Sequence, residues 1–496
     1  MSVTKKLFWL FLLFSNAQVL AQVEQVWVRR YNGTWAYGLE VDKNGNVYVT
    51  GSSGTLKYST DGDSLFFVRR YGYGSDDISV DDSENLYITS GAGTIKYSPT
   101  GDSLRFGLFG LYLGEALELD WAGNVYVTGT ISRETTYADY ITIKYNPLGD
   151  TLWTRYYQGS GYYSVDLATA LKLDENGDIF VTGYSFDTAT SEDYATIKYS
   201  ADGGVLWVRR YNGEANDSDI PGHPYGPSQP LAVDRDGNVF VTGRSIGIGT
   251  FFDYATIKYS PTGDSLWVRR YNGPADSNDF ANAIAVDDSG NVYVTGISRN
   301  IGLASDDIAT IKYSPNGDEL WVRRYDGPNG WDGANALAID SAGNVYVSGY
   351  SRSGTHEDYI TIKYSPDGDI LWQMRYDGPT HYNDVGYAMV IDDKANVYVT
   401  GRSFGGNETF DDYATIKYVQ YICLAKPGDA NGDGLVSFSD ITTIINVLFK
   451  GQPAPGLFCG RDTNEDGTVL LSDVVYLINF LFKSGPAPSK NKECCL

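Results

Sequence analysis

The sequence contains 496 residues, enough for several domains or for one large repetitive domain. Its formal net charge is −24, so its electric field repels nucleic acid and anionic lipid, and nucleic-acid binding is excluded as a main activity. After the N-terminal segment no apolar stretch is long enough to span a bilayer, which predicts no membrane insertion.

The first 21 residues have the layout of a secretory signal peptide. Lys5 and Lys6 precede an apolar run, Leu7–Phe14, and small residues lie near Ala21. The run is too short to act as a retained membrane anchor, and its flanks match a cleavable leader. We therefore expect an exported protein that is secreted or held at the cell surface.

Residues 22–418 contain eight copies of one unit. Each copy has a D-x-x-G-N-V-Y-V-T-G-like segment, then a TIKYS-like segment and, in most copies, an LWVRRY-like segment. Four stretches per copy are rich in Val, Ile, Tyr, Thr and Trp and are separated by turn residues, which predicts four short strands. Four-stranded units that recur every 40 to 60 residues or so are typical of β-propeller blades. The lysines of the TIKYS-like segments are Lys57, Lys96, Lys144, Lys198, Lys258, Lys312, Lys363 and Lys417.

The two ends of the repeat region predict how the ring closes. The chain starts with a lone last-strand motif, Trp27–Tyr31, and the eighth copy stops after Tyr418 without one. An N-terminal strand that completes the last blade removes the exposed edge of an open array. The predicted fold class is therefore mainly β, an eight-bladed propeller closed by its N-terminal strand. Seven blades are the alternative, because the copy that ends at 101–114 has a degraded last strand.

The segments GNVYVTG and DYATIKYSPTGD make residues 25–418 resemble the seven-bladed β-propeller repeat family of bacterial exported proteins. The resemblance implies the propeller fold and a bacterial exported protein, and it implies no particular activity. The eight copies counted here differ from the seven blades in the family's name.

The repeated strand residues are expected to be structural. The tryptophans of the LWVRRY-like segments, such as Trp207, recur at one position and are predicted to pack between blades. The repeated arginines and lysines are predicted to pair with the many aspartates of the blades rather than to form an anion site.

Two of the four connections in each unit vary in length and chemistry. Because strands alternate in direction, the second-to-third and blade-to-blade connections lie on the same side of the disc, which we call the variable rim. The uniform turns lie on the opposite side, the constant rim. A carbohydrate or protein ligand is expected on the variable rim. The candidate contact residues are loop aromatics whose alternative role is packing against neighbouring loops: Trp35, Phe251, Phe252, Trp331 and Tyr382.

No catalytic residue is predicted. His223, His356 and His381 lie in different loops outside any zinc-type spacing, no cysteine precedes Cys423, and no G-x-S-x-G motif is present. Paired carboxylates in this acidic chain would serve a glycoside hydrolase or lyase, so a carbohydrate-active enzyme is the alternative to a binding protein. A purely structural surface protein is the third alternative.

After a linker at residues 419–427, the segment 428–488 contains two acidic loops, each followed by an amphipathic helix pattern. The loops begin at Asp429 and Asp462, 33 residues apart. Oxygen ligands at loop positions one, three, five, seven, nine and twelve suit Ca²⁺, which predicts two bound ions. The expected ligands are Asp429, Asn431, Asp433, Leu435, Ser437 and Asp440 in the first loop and Asp462, Asn464, Asp466, Thr468 and Asp473 in the second, Leu435 and Thr468 through backbone carbonyls.

This pair of loops resembles a type I dockerin. The resemblance implies a calcium-folded module that docks onto a cohesin-type receptor, often in polysaccharide-degrading assemblies. The family's recognition pair lies just before the closing acid, where this chain has Phe or Leu followed by Ser. The partner is therefore expected to be a cohesin-like or other protein receptor, contacted by Phe438, Ser439, Leu471 and Ser472.

All four cysteines lie at or near the C-terminal segment: Cys423, Cys459, Cys494 and Cys495, the last two in a tail at residues 489–496. An even number in an exported chain predicts disulfides. Four cysteines allow three pairings, and the sequence leaves the choice among them open.

Overall fold

The repeated segments form eight β-sheets. The structure, a computed structural model, describes residues 22–69, 77–91, 93–104, 113–133, 136–160, 164–222, 228–301, 305–406, 410–421, 430, 436–450 and 470–483. The chain divides into two compact units: residues 25–419 form one, and residues 1–24 together with 420–496 form the other.

The first strand in the chain is β1 (Gln22–Tyr31), and blades 1 to 4 follow in chain order. Blade 1 consists of β2 (Ala36–Val41), β3 (Val47–Gly51), β4 (Gly54–Tyr58) and β5 (Ser64–Arg69). In the described residues, blade 2 contains β6 (Asp77–Val80), β7 (Leu86–Ser90) and β8 (Gly93–Tyr97). Blade 3 consists of β9 (Leu113–Leu119), β10 (Val125–Arg133), β11 (Thr136–Tyr145) and β12 (Thr151–Tyr157). Blade 4 consists of β13 (Asp166–Leu173), β14 (Ile179–Asp187), β15 (Ser191–Tyr199) and β16 (Val205–Tyr211).

Blades 5 to 8 have more regular strands. Blade 5 consists of β17 (Asp219–Pro221), β18 (Leu231–Val233), β19 (Val239–Ile246), β20 (Phe252–Tyr259) and β21 (Ser265–Tyr271). Blade 6 consists of β22 (Asp279–Val286), β23 (Val292–Arg299), β24 (Asp306–Tyr313) and β25 (Glu319–Tyr325). Blade 7 consists of β26 (Asp332–Ile339), β27 (Val345–Ser353), β28 (His356–Tyr364) and β29 (Ile370–Tyr376). Blade 8 consists of β30 (Asp384–Ile391), β31 (Val397–Gly406), β32 (Phe410–Tyr421) and β1.

The eight sheets form a closed ring. The first strands of consecutive blades contact one another, and the first strand of blade 8, β30, contacts β2 of blade 1. Strand β1 pairs with β32 and supplies the outer strand of blade 8. The prediction of eight blades closed by the N-terminal strand is confirmed, and the seven-blade alternative is wrong. The degraded last strand of the second copy falls largely on residues 105–112, which lie outside the described part of the chain.

An insertion interrupts the first strand of blade 5. Strands β17 and β18 both pair with β19, and residues 222–230 connect them. Gln229 bridges to blade 6, because its backbone N–H donates to Asn282 O over 2.9 Å and its carbonyl accepts from the Ile284 N–H over 2.9 Å. The segment between β16 and β18 therefore contains a short strand, β17, and pairs at Gln229 with the first strand of blade 6.

The core lies between the blades. Each sheet packs against a neighbour on both faces, so the second and third strands are apolar on both sides instead of alternating; β3 and β7, for example, are buried throughout. Trp267 shows how neighbouring blades meet: its ring lies 6.0 Å from that of Phe240 in its own blade and 6.1 Å from that of Tyr313 in blade 6. The prediction that these tryptophans pack between blades is confirmed.

The turns between first and second strands follow the expected chemistry. The fourth turn residue has a positive φ, and glycine occupies it in most copies, as at Gly45 with φ 80°. Glu84 and Ala395 stand at the same position with φ near 60°, at a cost of about 1 kcal/mol each for an L-residue in this region.

The second unit contains two helices, α1 (Phe438–Lys450) and α2 (Leu471–Lys483). They pack together through a small apolar core to which Ile441, Ile444, Val474 and Leu477 contribute. No helix in the described residues is long and apolar enough to cross a membrane.

Candidate functional site

The constant rim is held by bonds within and between blades. Asp234 satisfies its own turn, because its carboxylate accepts from the backbone N–H of Asn238 and from the Asn238 side chain, each over 2.8 Å. Trp267 and Lys258 of blade 5 both donate to the carbonyl of Pro315 in blade 6, over 3.1 Å and 3.2 Å. These side chains have structural partners, so they stabilise the turns and blade contacts of the constant rim.

A row of four polar residues crosses the variable rim in each of blades 4 to 8. The strand register aligns an aspartate of the first strand, a serine of the second and an aspartate of the third, and the fourth strand adds an arginine. The rows are Asp166, Ser185, Asp193 and Arg210; Asp219, Ser245, Asp253 and Arg270; Asp279, Ser298, Asp307 and Arg324; Asp332, Ser351, Asp358 and Arg375; and Asp384, Ser403, Asp412 and Arg30.

The arginine connects three strands and two blades. In blade 6, Arg324 donates to Asp307 over 2.7 Å, to Ser298 over 2.5 Å and to the hydroxyl of Tyr271 in blade 5 over 2.8 Å. The predicted pairing of repeated arginines with aspartates is confirmed for the second arginine of each of these motifs. The first arginine, such as Arg269, instead donates to backbone carbonyls in the turn of the next blade.

The first-strand aspartates of these rows are buried among other acids. Burial is the largest effect on the pKa of three of them, and it raises the pKa of Asp219, Asp279 and Asp384 to about 6. The carboxylate of the third-strand aspartate in the preceding blade adds to the rise, whereas a nearby serine hydroxyl and a backbone N–H lower the pKa. The junctions of blades 4 and 5, of blades 5 and 6, and of blades 7 and 8 therefore each bring two carboxyl groups close together on the variable rim.

Three of the five predicted ligand-contact residues are half-buried. Trp35 donates through Nε1 to Asp411 over 2.8 Å and lies beneath the guanidinium of Arg402. Trp331 lies between two arginines, with guanidinium carbons 5.6 Å and 5.2 Å from its ring centre. Phe252 packs on Phe280 and Arg244. Their alternative role, packing against neighbouring loops, accounts for these contacts.

The other two predicted contact residues are more exposed. Phe251 is 65% exposed, and Tyr382 is 47% exposed while one face stacks on His356 at a centroid distance of 4.0 Å. These two rings are the predicted residues that remain available to a ligand. Of the other histidines, His381 lies on the same rim and its side chain is 78% exposed, whereas His223 lies in the segment 223–227, which is not described.

The first strands surround a central channel with a cavity of about 660 Å³. Four consecutive blades carry a charged residue on the first strand: Glu40, Asp77, Glu118 and Lys172, of which Asp77 and Lys172 line the cavity. Lys172 forms an ion pair with Glu118, and Asp77 accepts the backbone N–H of Leu117 over 2.8 Å. Burial raises the pKa of Glu40 to about 7, and the charges of Asp77 and Glu118 add to that rise. Burial also raises the pKa of Asp77 to about 6.

This acidic cluster was missed from the sequence, although the repeat contains a signal for it. Glu40, Glu118 and Lys172 occupy one position, two residues before the aspartate of the first turn. Other copies have a small residue there, such as Ala285 or Ala338. A charged residue at a position that other copies fill with a small residue indicates that the channel wall is charged in those blades.

The described part of the calcium-loop segment contains the closing acids of both loops. Asp440 and Asp473 are fully buried in the first turn of their helices. Their carboxylates accept the backbone N–H of Ser437 over 2.7 Å and of Leu470 over 2.8 Å. Ser437 is half-buried. The remaining predicted ligands lie outside the described residues: Asp429, Asn431, Asp433, Leu435, Asp462, Asn464, Asp466 and Thr468.

The predicted partner residues lie at the starts of the two helices. Phe438 is 62% exposed and Leu471 is 56% exposed, and Ser439 and Ser472 beside them are also exposed. The predicted disulfides stay open, because all four cysteines lie beyond the described part of the chain.

The eight sheets and their closed ring define a β-propeller protein. Residues 26–55 and 266–299 match the model of a family described as a beta-propeller repeat, SBBP. The chain is 24% identical over 360 residues to an uncharacterized WD repeat-containing protein of Acanthamoeba polyphaga mimivirus. That match covers 52% of this chain, which spans 25% of the length of the curated relative.

Similar solved structures include the Dos1 propeller, at 10% identity and a TM-score of 0.47, with 80% of this chain and 92% of that chain covered. A protein of unknown function from Bacteroides caccae matches at 9% identity and a TM-score of 0.35, with 70% of this chain and 94% of that chain covered.

Proposed function

We propose that this chain is an exported bacterial binding protein without enzymatic activity. Its propeller presents a ligand-binding variable rim, and its C-terminal helix pair, folded around two Ca²⁺ ions, attaches it to a cohesin-like or other protein receptor. The observation that carries the proposal is the pair of exposed apolar side chains, Phe438 and Leu471, at equivalent positions of two helices.

The helix pair has an internal symmetry that supports docking. Phe438 and Leu471 are 33 residues apart, as are the buried closing acids Asp440 and Asp473. Phe449 and Phe482, near the C-terminal ends of the helices, are also 33 residues apart, and they are 66% and 64% exposed. Exposed apolar rings on so small a unit are typical of a protein-binding surface.

Calcium fits the described donors of this segment. The carboxylates of Asp440 and Asp473 are hard oxygen donors, and both are held at the start of a helix by backbone N–H groups. When bound, Ca²⁺ would stabilise loops that a core of this size cannot hold alone. This support is independent of the propeller.

The full chain tests the proposal in a capture experiment on the secretome of its source. We expect one dominant protein to be captured in Ca²⁺ and released by a chelator. Phe438→Asp with Leu471→Asp should abolish the capture, because two charges would then enter an apolar interface. Leu148→Asp, at an 85% exposed turn of blade 3, is the control and should capture normally. Capture that survives both the chelator and the double substitution would refute the docking role.

A carbohydrate-active enzyme is the second candidate, and the channel favours it. Glu40 has a raised pKa of about 7, near Glu118 and Asp77, and a carboxyl group that holds its proton near neutral pH suits general acid catalysis. Turnover of a polysaccharide panel by the full chain, lost in Glu40→Gln and kept in Glu319→Gln on an outer strand, would favour the enzyme. Absence of turnover favours the binding protein.

A further inference from the structure

Two junctions between blades on the variable rim bring three carboxylates together. At the junction of blades 6 and 7, one carboxylate oxygen from each of Asp307, Asp326 and Asp332 lies within 4.8 Å of the other two. The equivalent residues meet in the same way between blades 7 and 8: Asp358, Asp377 and Asp384. Each triad combines a third-strand aspartate, an exposed loop aspartate and a first-strand aspartate of the next blade.

The first-strand aspartate of each triad has an oxygen without a hydrogen-bond partner. Asp332 and Asp384 are 0% exposed. Their Oδ2 atoms accept the backbone N–H of Gly327 over 2.7 Å and of Gly378 over 2.6 Å, whereas their Oδ1 atoms have no partner. The hydroxyl of Ser351 is close enough to lower the pKa of Asp332, yet its geometry does not make a hydrogen bond to Oδ1.

A buried carboxylate oxygen without a partner is costly, because the group has lost water and gained nothing in its place. In the cluster at the junction of blades 6 and 7, three carboxylates face one arginine, Arg324, which pairs with Asp307 over 2.7 Å. Three negative charges and one positive charge leave a charge of −2. The raised pKa values of Asp332 and Asp307, for which burial is the main cause, agree with this unbalanced charge.

We propose that each of these two junction triads binds a divalent cation, and that Ca²⁺ is the preferred ion. All three side chains in a triad offer hard carboxylate oxygens, and no histidine or cysteine belongs to either triad. At the junction of blades 6 and 7, one divalent cation balances the charge of −2 and supplies a partner for the unpaired oxygen. Asp326 and Asp377 are exposed, so the ion reaches the site from solvent and keeps water among its ligands.

The same position at other junctions provides an internal comparison. Asn212 and Asn272 replace the loop aspartate at the junctions of blades 4 and 5 and of blades 5 and 6. Those junctions offer two carboxylates and an amide, and one charge fewer predicts weaker binding. Asp377 is also held by His381, whose Nδ1 lies 2.7 Å from Oδ2, so we expect the triad of blades 6 and 7 to bind more tightly.

The ion would fix the blade-to-blade loop of residues 326–332. That loop carries Trp331, next in sequence to Asp332 and already held between Arg299 and Arg352. The two cation sites therefore belong to the variable rim and would set the shape of its aromatic surface. They are made of other residues than the two Ca²⁺ sites proposed for the C-terminal segment, and the two proposals rest on different observations.

The test measures Ca²⁺ binding to the full chain by equilibrium dialysis, with variants of one triad at a time. Asp326→Asn introduces the residue that Asn212 and Asn272 supply at the equivalent position of two other junctions. Because Asp326 lies in an exposed loop, the blade will still fold. We expect it to weaken one Ca²⁺ site about tenfold or more. Asp332→Asn should remove that site, and Asp384→Asn should remove the equivalent one. Asp318→Asn, at an exposed constant-rim turn of blade 6, is the charge-matched control and should change nothing.

Tb³⁺ luminescence excited through tryptophan is the second readout. Trp331→Phe should reduce the emission without reducing the number of Ca²⁺ ions bound, because it removes the nearby donor and leaves the ligands. To exclude the C-terminal loops as the source, the same measurements are made with Asp429→Ala and Asp462→Ala present. Unchanged stoichiometry and affinity in Asp326→Asn, Asp332→Asn and Asp384→Asn would overturn the proposal, whether or not the C-terminal segment binds calcium.

Discussion

The guanidinium of Arg30, in the first strand of the chain, donates to the carboxylate of Asp412, in the last strand of the propeller, over 2.8 Å. Arg30 also donates to the hydroxyl of Ser403 in the neighbouring strand. These bonds repeat the row found in blades 4 to 7, with the difference that no covalent turn joins β1 to β32. In blade 8, side chains and strand pairing alone hold the outer strand.

Arg30→Ala should therefore open the ring at one place. We expect a loss of about 3 kcal/mol in unfolding free energy, because the buried carboxylate of Asp412 is left without its charged partner. Arg210→Ala makes the same change in blade 4, where a turn connects the outer strand, and should cost a similar amount. Hydrogen exchange separates the two: residues 22–31 should lose protection in Arg30→Ala, whereas residues 205–211 should keep most of theirs in Arg210→Ala. Equal protection of both segments would contradict the closure role.

Trp321 should be among the most costly residues to truncate. It is 8% exposed, packs on Tyr293 and Tyr364, and donates to Pro366 O over 3.1 Å. Trp321→Ala should lower the unfolding free energy by about 3–5 kcal/mol in chemical denaturation. Trp321→Phe should cost much less, since Lys312 still donates to the same carbonyl over 2.9 Å. Trp121, which is 98% exposed, is the control, and its alanine variant should stay within about 0.5 kcal/mol of the parent chain.

Glu40 should make stability depend on pH in the direction opposite to that of an ordinary carboxylate. Burial raises its folded pKa to about 7, above the ordinary value of 4.5, so the folded state binds the proton more tightly than the unfolded state. Its stabilising contribution is complete below about pH 4.5 and is lost as the pH rises through 7.

Glu40→Gln should therefore stabilise the chain at pH 8, by about 1–2 kcal/mol after allowance for water in the channel, and should have little effect at pH 4.5. Glu118→Gln is the matched control, and it should not stabilise at pH 8, because Lys172 loses its partner. Urea denaturation at pH 4.5 and at pH 8 measures the unfolding free energy of both variants. A Glu40→Gln effect that is the same at pH 4.5 and pH 8 would show that the carboxyl group titrates normally.

Calcium removal should affect the C-terminal helices. If the two loops hold Ca²⁺, a chelator should increase hydrogen exchange in residues 438–450 and 471–483 by at least about tenfold, because so small a core is marginal without metal. The central strands of the propeller, such as β19 and β20, should be unchanged. Asp429→Ala with Asp462→Ala should reproduce the effect in Ca²⁺. Helices that keep their protection in both conditions would argue against calcium-dependent folding.

Much of the architecture was predictable because the repeat is local and is written eight times. The turn signals, the strand composition and the displaced Trp27–Tyr31 motif together gave eight blades and their closure. The two helices also lie where the amphipathic pattern places them. The roles of the predicted rim aromatics were harder to derive from the sequence. Trp35 and Trp331 pack against arginines from other strands, and the sequence does not show that these residues meet.

The sequence by itself determined every feature that depends on neighbouring residues: the strands, the tight turns, the repeat number, and the spacing of the calcium-loop motif. Only the tertiary structure decided which side chains meet across blades. Glu40 of blade 1 comes close enough to Lys172 of blade 4 for their charges to interact, because the first strands of the blades surround one channel. Asp307 of blade 6 meets Asp332 of blade 7, because the ring packs each sheet against the next. Such contacts depend on the register between strands and on the closure of the ring, and neither is encoded in the spacing of residues along one copy.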